Sequence, residues 1–138
     1  MSPVALDASM ALAWVFDDER DTNALAALER VLGAGAVVPR LWWWEVANVV
    51  LSAARRGRIK RSVSVEVFED LSALPIRLDE AASPGFGAEV ALARRFNLSV
   101  YDAAYLELSQ RLGLELLTKD ARLDRAAREL GVNAAIKP

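Results

Sequence analysis

Residues 4–9, VALDAS, decide the fold, because a short apolar run ends there on an aspartate and leads directly into a helical pattern. Apolar runs of the same kind occur at 36–38, 75–78 and 115–117, with helical patterns between them. Short apolar strands that alternate with helices, with no hairpin dipeptide such as Asn-Gly between them, are typical of a parallel sheet. We therefore predict an α/β three-layer sandwich with a short parallel central sheet and helices on both faces.

The predicted helices have capping and stop residues at their ends. Gly33 and Gly35 are predicted to end the second helix, and Ser62 to cap the fourth. Ser83 followed by Pro84 has the pattern of an N-cap with proline at the first helical position. The expected helices cover about 8–16, 21–32, 41–56, 62–73, 84–96, 99–112 and 120–130, and a weak last strand covers 134–137.

Length and composition predict one globular domain over residues 1–138. The chain has 138 residues, of which 54% are hydrophobic, enough for a core without disulfide or metal staples. It contains no histidine and no cysteine. These two absences exclude Ser-His-Asp triads, cysteine nucleophiles and thiolate zinc sites. An enzyme with this sequence must therefore work with carboxylates, hydroxyls, lysine, arginine or tyrosine.

The sequence predicts a cytoplasmic protein. Residues 4–16 are apolar, but they contain Asp7 and follow no basic segment, which is unlike a signal peptide. No uncharged apolar run approaches the roughly 18 residues of a membrane-spanning helix. The lack of cysteine agrees with a reducing compartment. The net charge is -2, so contacts with nucleic acid must come from local basic patches.

Four acidic residues lie where a parallel sheet places its ligand site, just after the strands. Asp7 ends the first strand, Glu45 lies early in the helix after the second, and Asp120 follows the fourth. Asp102 is in the first turn of its helix. Each residue also has a structural interpretation. Asp7 and Asp120 can be helix N-caps, and Glu45 can be a solvated side chain. Asp102 fits a capping box with Ser99.

Together the four carboxylates indicate a metal site. Acidic side chains that converge without histidine or a basic partner repel one another, and a divalent cation removes that repulsion. Oxygen ligands select hard ions, so Mg²⁺ or Mn²⁺ is the expected cofactor. Ser9 and Thr118 add hydroxyls beside two of the acids, where they can position water or phosphate. Asn48, three residues after Glu45, either orients that carboxylate or is a surface amide.

The acidic residues stand in four short motifs, which are DAS at 7–9, EVAN at 45–48, YDAAYL at 101–106 and LTKD at 117–120. In this order, and over essentially the whole chain, they resemble the four motifs of the PIN domain. More narrowly, they are similar to those of VapC-type toxins of bacterial and archaeal toxin–antitoxin pairs. The resemblance implies a Rossmann-like sheet, an endoribonuclease active site, a homodimer, and a VapB-type antitoxin protein that blocks the site.

Chemistry and resemblance together predict a Mg²⁺- or Mn²⁺-dependent endoribonuclease toxin that hydrolyses RNA phosphodiesters with metal-activated water. The expected products have 5′-phosphate and 3′-OH ends. Three alternatives stay open: a receiver-like phosphoacceptor signalling module, a catalytically inactive PIN-fold binding module, and a phosphatase acting on small phosphoesters. The expected catalytic and metal-binding residues are Asp7, Glu45, Asp102 and Asp120.

A basic cluster on the last helix is predicted to contact RNA. Lys119, Arg122 and Arg125 are spaced by three, just beyond Thr118. Cations in this position can guide a phosphate backbone toward the acidic residues. A solvated helix face explains the same pattern.

Three consecutive tryptophans are predicted to form a protein-binding surface. Trp42, Trp43 and Trp44 point about 100° apart on one helix, so they cannot share one buried face. Exposed aromatic surface indicates a partner. We expect an antitoxin segment to dock there, with a dimer contact as the other interpretation.

Overall fold

The centre of the molecule is a four-stranded parallel sheet in the order β3-β2-β1-β4. The computed structural model describes residues 2–80 and 85–134. β1 pairs Val4 with Ala36 on one side and Ala5 with Leu116 on the other. Parallel pairing brings the carboxyl ends of the strands to one edge of the sheet. The strands are β1 (Val4–Leu6), β2 (Ala36–Val38), β3 (Ile76–Leu78) and β4 (Leu116–Leu117).

Seven α-helices and one 3₁₀ turn accompany the sheet in the described part of the chain. The predicted parallel α/β architecture is confirmed, with α2 and α6 in contact with β1. None of these helices combines the length and the apolar character needed to cross a membrane. The helices are α1 (Ala8–Val15), α2 (Thr22–Ala34), α3 (Arg40–Arg55), α4 (Arg61–Ser72), α5 (Ala88–Phe96), α6 (Val100–Leu112) and α7 (Ala121–Glu129), and the 3₁₀ turn is Asp17–Glu19.

β1 is fully buried at the middle of the sheet, between β2 and β4. Leu6 belongs to the same buried cluster as Met10 of α1 and Leu106 and Leu108 of α6. Burial of one such side chain stabilises the fold by roughly 1.5–3 kcal/mol relative to exposure. The end of β1, where residue 7 follows, is thereby anchored on the core.

Two predicted helix ends differ from the structure. Helix α2 continues through Gly33 to Ala34, because one glycine inside a helix costs only about 1 kcal/mol, and Gly35 caps its end as predicted. Gly35 has a φ of +83°, and a Cβ there would lie 3.2 Å from the carbonyl oxygen of Pro75. Both the backbone and the space therefore require glycine at the later position. Ser62 is inside α4, which follows extended backbone at Lys60, so it is not the cap.

Two predicted elements lie partly outside the described residues. Ser83 and Pro84 are outside, and so are residues 135–138. In the described part, α5 begins at Ala88 and not at 84, because the preceding Gly87 has a ψ of -102°, far from helical values. One residue before the predicted last strand, Asn133 forms a single parallel bridge with Leu116.

Candidate active site

The aspartates that follow β1 and β4, at the edge where the strands end, each cap the helix that begins there. Asp7 caps α1 by accepting from the amide of Met10 at 3.0 Å. Asp120 caps α7 by accepting from the amides of Arg122 and Leu123 at 2.9 and 3.1 Å. The capping interpretation is therefore correct for both residues, and the caps fix both carboxylates at this edge.

Asp102 belongs to the first turn of α6 and is half-buried. Its amide donates to Ser99 Oγ at 3.1 Å, which makes Ser99 the N-cap as predicted. The hydrogen bond of this cap uses the backbone of Asp102. The cap thus sets the position of the residue through its main chain.

Two hydroxyl groups hold the buried carboxylate of Asp7. Ser9 Oγ donates to its two oxygens at 2.8 and 2.9 Å, and Thr118 Oγ1 donates to Oδ2. Each hydroxyl also accepts from a backbone amide, Ser9 from Lys119 at 2.9 Å and Thr118 from Asp120 at 3.0 Å. The amides occupy acceptor positions, so the hydroxyl protons are available to Asp7. The structure thus gives Ser9 and Thr118 the role of clamping a carboxylate, where the sequence predicted contacts with water or phosphate.

Glu45 is hydrogen-bonded to a residue that the sequence did not indicate as part of the site. The hydroxyl of the buried Tyr105 donates to Glu45 Oε1 at 2.7 Å. Asn48, the predicted orienting residue, is exposed, and the group that contacts the carboxylate is the phenol. The signal that could have found Tyr105 is its spacing, three residues after Asp102 and hence on the same face of α6.

The charges of the acidic residues influence one another at this edge. Burial raises the pKa of Asp7 to about 7, with a smaller contribution from the charge of Asp102. Burial also raises the pKa values of Glu45 and Asp102; Asp102 adds to the shift of Glu45, and Asp120 to that of Asp102. The pKa of Tyr105 is raised mainly by burial and its bond to Glu45. Asp102 is therefore the common electrostatic neighbour of the other three acids.

The oxygen atoms at this edge suit a hard divalent cation in chemical type. Within residues 2–80 and 85–134, no three acidic side chains are already grouped to hold one ion. The ion pairs in these ranges involve carboxylates other than Asp7, Glu45 and Asp102. Mg²⁺ is usually held through one or two carboxylates and keeps several of its waters. Asp7, Glu45 and Asp102 repel one another and form no ion pair among the described residues, so they fit a Mg²⁺ ion held partly through water.

Comparison with known proteins identifies the family. A family model described as the PIN domain matches residues 4–129. The chain belongs to the PIN domain family. It is 31% identical over 125 residues to a protein named ribonuclease VapC3 from Pyrobaculum aerophilum, covering 87% of this chain and 91% of that protein. Family membership confirms the resemblance carried by the four motifs and sets aside the receiver-like alternative.

A solved structure shares the fold. The crystal structure of PAE2754 from Pyrobaculum aerophilum superimposes with a TM-score of 0.69 at 20% sequence identity. The match covers 91% of this chain and 84% of the other. The arrangement of strands and helices is therefore common to both proteins.

The three residues of the predicted basic cluster lie in different environments in this PIN domain. Lys119 forms an ion pair with Asp21, the N-cap of α2. Arg122 and Arg125 are exposed on α7. The charge of Arg122 lowers the pKa of Asp102, against the larger effect of burial, so this guanidinium is near the acidic edge. Within residues 2–80 and 85–134, Arg122 and Arg125 thus form no ion pair, in contrast to Lys119.

The three consecutive tryptophans of the PIN domain differ in exposure, as their spacing predicted. Trp42 is 1% exposed and belongs to the core, whereas Trp43 is 36% and Trp44 65% exposed. The ring of Trp43 stands edge-on to that of Trp42 at 4.7 Å between centroids. Trp42 cannot take part in a docking surface because its ring is buried. The prediction of a protein-binding surface is corrected to Trp43 and Trp44.

Asp7→Asn is expected to stabilise the metal-free protein progressively as the pH rises from 5 to 8. Folding raises the pKa of Asp7 to about 7, whereas the unfolded chain releases this proton near about 3.9. Between these two pH values the folded chain binds more protons than the unfolded chain, so the unfolding free energy of the wild type falls as pH rises. Asparagine does not titrate and still caps the helix.

Urea unfolding in EDTA at several pH values measures this effect. At pH 8 the variant should exceed the wild type by at least about 1 kcal/mol more than at pH 5, the scale of one pKa unit. Asp70→Asn, on the exposed side of α4, is the matched control and should show no such trend. A stability difference for Asp7→Asn that is the same at pH 5 and pH 8 would contradict the burial argument.

Proposed function

We propose that this PIN domain, spanning residues 1–138, is a Mg²⁺- or Mn²⁺-dependent endoribonuclease and the toxin of a VapBC-type toxin–antitoxin pair. The observation that carries the proposal is the set of four carboxylates from four separate segments, with Asp102 as their common electrostatic neighbour. The name of the relative VapC3, a ribonuclease, supports the same activity. A catalytically inactive binding module has no need for such a costly cluster, which argues for the enzyme.

The four acids are proposed to act as a unit, holding the metal directly or through water. A bound Mg²⁺ or Mn²⁺ supplies charge relief on the phosphate and activation of the attacking water. Asp7 is the most rigid of the four, because Ser9, Thr118 and the start of α1 hold it in place. Glu45, Asp102 and Asp120 are half-buried and face solvent in part, so they remain accessible to substrate. Cleavage by water leaves 5′-phosphate and 3′-OH ends.

RNA is proposed to approach over α7. Arg122 lies near Asp102 and Arg125 continues along the same helix, so both can contact phosphates next to the scissile bond. Lys119 contributes less, because its ammonium group is paired with Asp21. With a net charge of -2, such a local patch is needed to bring a polyanion to an acidic site.

The proposed partners are based on the family resemblance and on the exposed tryptophans of α3. A VapB-type antitoxin is expected to dock on Trp43 and Trp44, which lie on the helix that carries Glu45 and are therefore beside the acidic edge. A homodimer in the cytoplasm is the expected assembly. Both belong to the proposal that the chain is a VapC-type toxin.

Glu45→Gln is expected to abolish RNA cleavage and to leave the fold intact. Glu45 is in the second turn of α3 and caps no helix, so loss of activity cannot come from loss of a cap. The wild type should cut RNA with Mg²⁺ or Mn²⁺ and stop in EDTA, as followed on end-labelled RNA. Glu69→Gln, an exposed change on α4, is the control and should cleave normally. Full cleavage in excess EDTA, or by Glu45→Gln, would refute the mechanism.

Replacing Arg122 and Arg125 together by alanine is expected to weaken RNA binding and to flatten its dependence on salt. Each lost phosphate contact should reduce the log–log slope by up to about 0.7 for single strands. Binding is measured by fluorescence anisotropy in the Glu45→Gln background, which keeps the RNA intact. Arg94→Ala, an exposed change on α5, should leave the slope unchanged. An unaltered slope in the double variant would make α7 an ordinary solvated helix.

Trp44→Ala and Trp43→Ala are each expected to weaken binding of a VapB-type antitoxin by at least about tenfold, while RNA cleavage persists. Buried aromatic side chains often dominate protein interfaces, at roughly 2 kcal/mol or more on truncation. Affinity is measured by calorimetry, and complex formation should shift the tryptophan fluorescence of the wild type. Unchanged affinity in both folded variants would place the antitoxin elsewhere.

A further inference from the structure

The two tyrosines of the chain stand four residues apart on α6 but in opposite environments. Tyr101 is 66% exposed, whereas Tyr105 is 1% exposed. The hydroxyl of Tyr105 nevertheless reaches the acidic edge of the sheet, where it donates to Glu45 Oε1 at 2.7 Å. This buried phenol therefore connects the hydrophobic core to one of the four carboxylates.

Glu45 has less backbone support than the acids that cap helices. Its carboxylate is separated from α3 by a flexible side chain, and ordering such a side chain has an entropic cost. Among the described residues, the hydrogen bond from Tyr105 is the one that fixes the carboxylate. The ring of Tyr105 is locked in the core, so the hydroxyl is a rigid reference point for a mobile acid.

We propose that Tyr105 is a positioning residue of this site, which holds Oε1 of Glu45 in advance and leaves Oε2 to the divalent cation. The inference rests on the proposed function, because it assumes that Glu45 helps to hold Mg²⁺ or Mn²⁺. One face of α6 thus carries both Asp102, an acid of the site, and the hydroxyl that orients another acid. Loss of a group that orients a metal ligand typically weakens metal binding by about 10–100-fold.

Tyr105→Phe tests the proposal, because it removes one oxygen and keeps the ring that fills the core. The dissociation constant for Mn²⁺, measured without RNA by electron paramagnetic resonance, is expected to rise by about tenfold or more. RNA cleavage should need correspondingly more Mn²⁺ and should recover when the metal is saturating. Tyr101→Phe removes a hydroxyl from the same helix at an exposed position, and as the matched control it should leave the Mn²⁺ affinity unchanged.

The possible outcomes distinguish a failure of the proposed role of Tyr105 from a failure of the proposed metal site. Normal Mn²⁺ binding by the wild type with an unchanged dissociation constant in Tyr105→Phe would overturn the role of Tyr105 alone. The same holds if Tyr105→Phe loses thermal stability but keeps its metal affinity, since the hydroxyl would then be merely structural. Absence of Mn²⁺ binding by the wild type would overturn the metal site and this inference with it.

A second measurement leaves Tyr105 intact and decides the matter if Tyr105→Phe does not fold. In the Tyr101→Phe protein, Tyr105 is the single tyrosine, so a ¹³C label at the Cζ carbon of tyrosine reports its hydroxyl alone. Diamagnetic Mg²⁺ is expected to shift this resonance, and Glu45→Gln is expected to abolish the shift. A resonance that does not respond to Mg²⁺ would overturn the proposal.

Discussion

The burial of one carboxylate, that of Asp7, is the constraint on which the acidic edge depends. A buried charge or polar group is tolerated only when hydrogen bonds replace its lost water. Here the donors come from the first turn of α1, from Ser9, and from Thr118 beyond β4. Because Ser9 also accepts from the amide of Lys119, and Thr118 donates to Asp7, the segments that follow β1 and β4 are held together. Asp120 is tied to the same network, because its amide donates to Thr118 Oγ1.

The fold and the positions of the acids could be predicted because they depend on patterns along the chain. Short, mainly apolar runs predicted the strands, and parallel pairing brings the residues after them to one edge of the sheet. The caps at Asp7, Ser99 and Asp120 were recognisable for the same reason, since a cap is a local interaction.

What the sequence could not predict depends on contacts between distant segments. Tyr105 looks like an ordinary core residue, and only the approach of α3 and α6 brings its hydroxyl to Glu45, which is 60 residues away. Trp42 is buried and Trp44 is exposed because of which side of α3 faces the core, which spacing alone leaves undetermined. Gly33 and Gly35 look alike in the sequence, and only the structure shows that Gly35, with its φ of +83°, is the one that ends α2.

The bond between Thr118 and Asp7 joins residues 111 positions apart, and this has a consequence for biosynthesis. Asp7 leaves the ribosome well before Thr118 and Asp120, which are synthesised at least 111 residues later. Until β4 has docked, α1 carries a buried acid without one of the hydroxyls that hold it. A nascent chain that ends before β4 therefore contains Asp7, Glu45 and Asp102 but not yet the complete acidic site. For a proposed RNA-cutting protein, this order of synthesis delays activity until β4 and the segment that follows it have emerged.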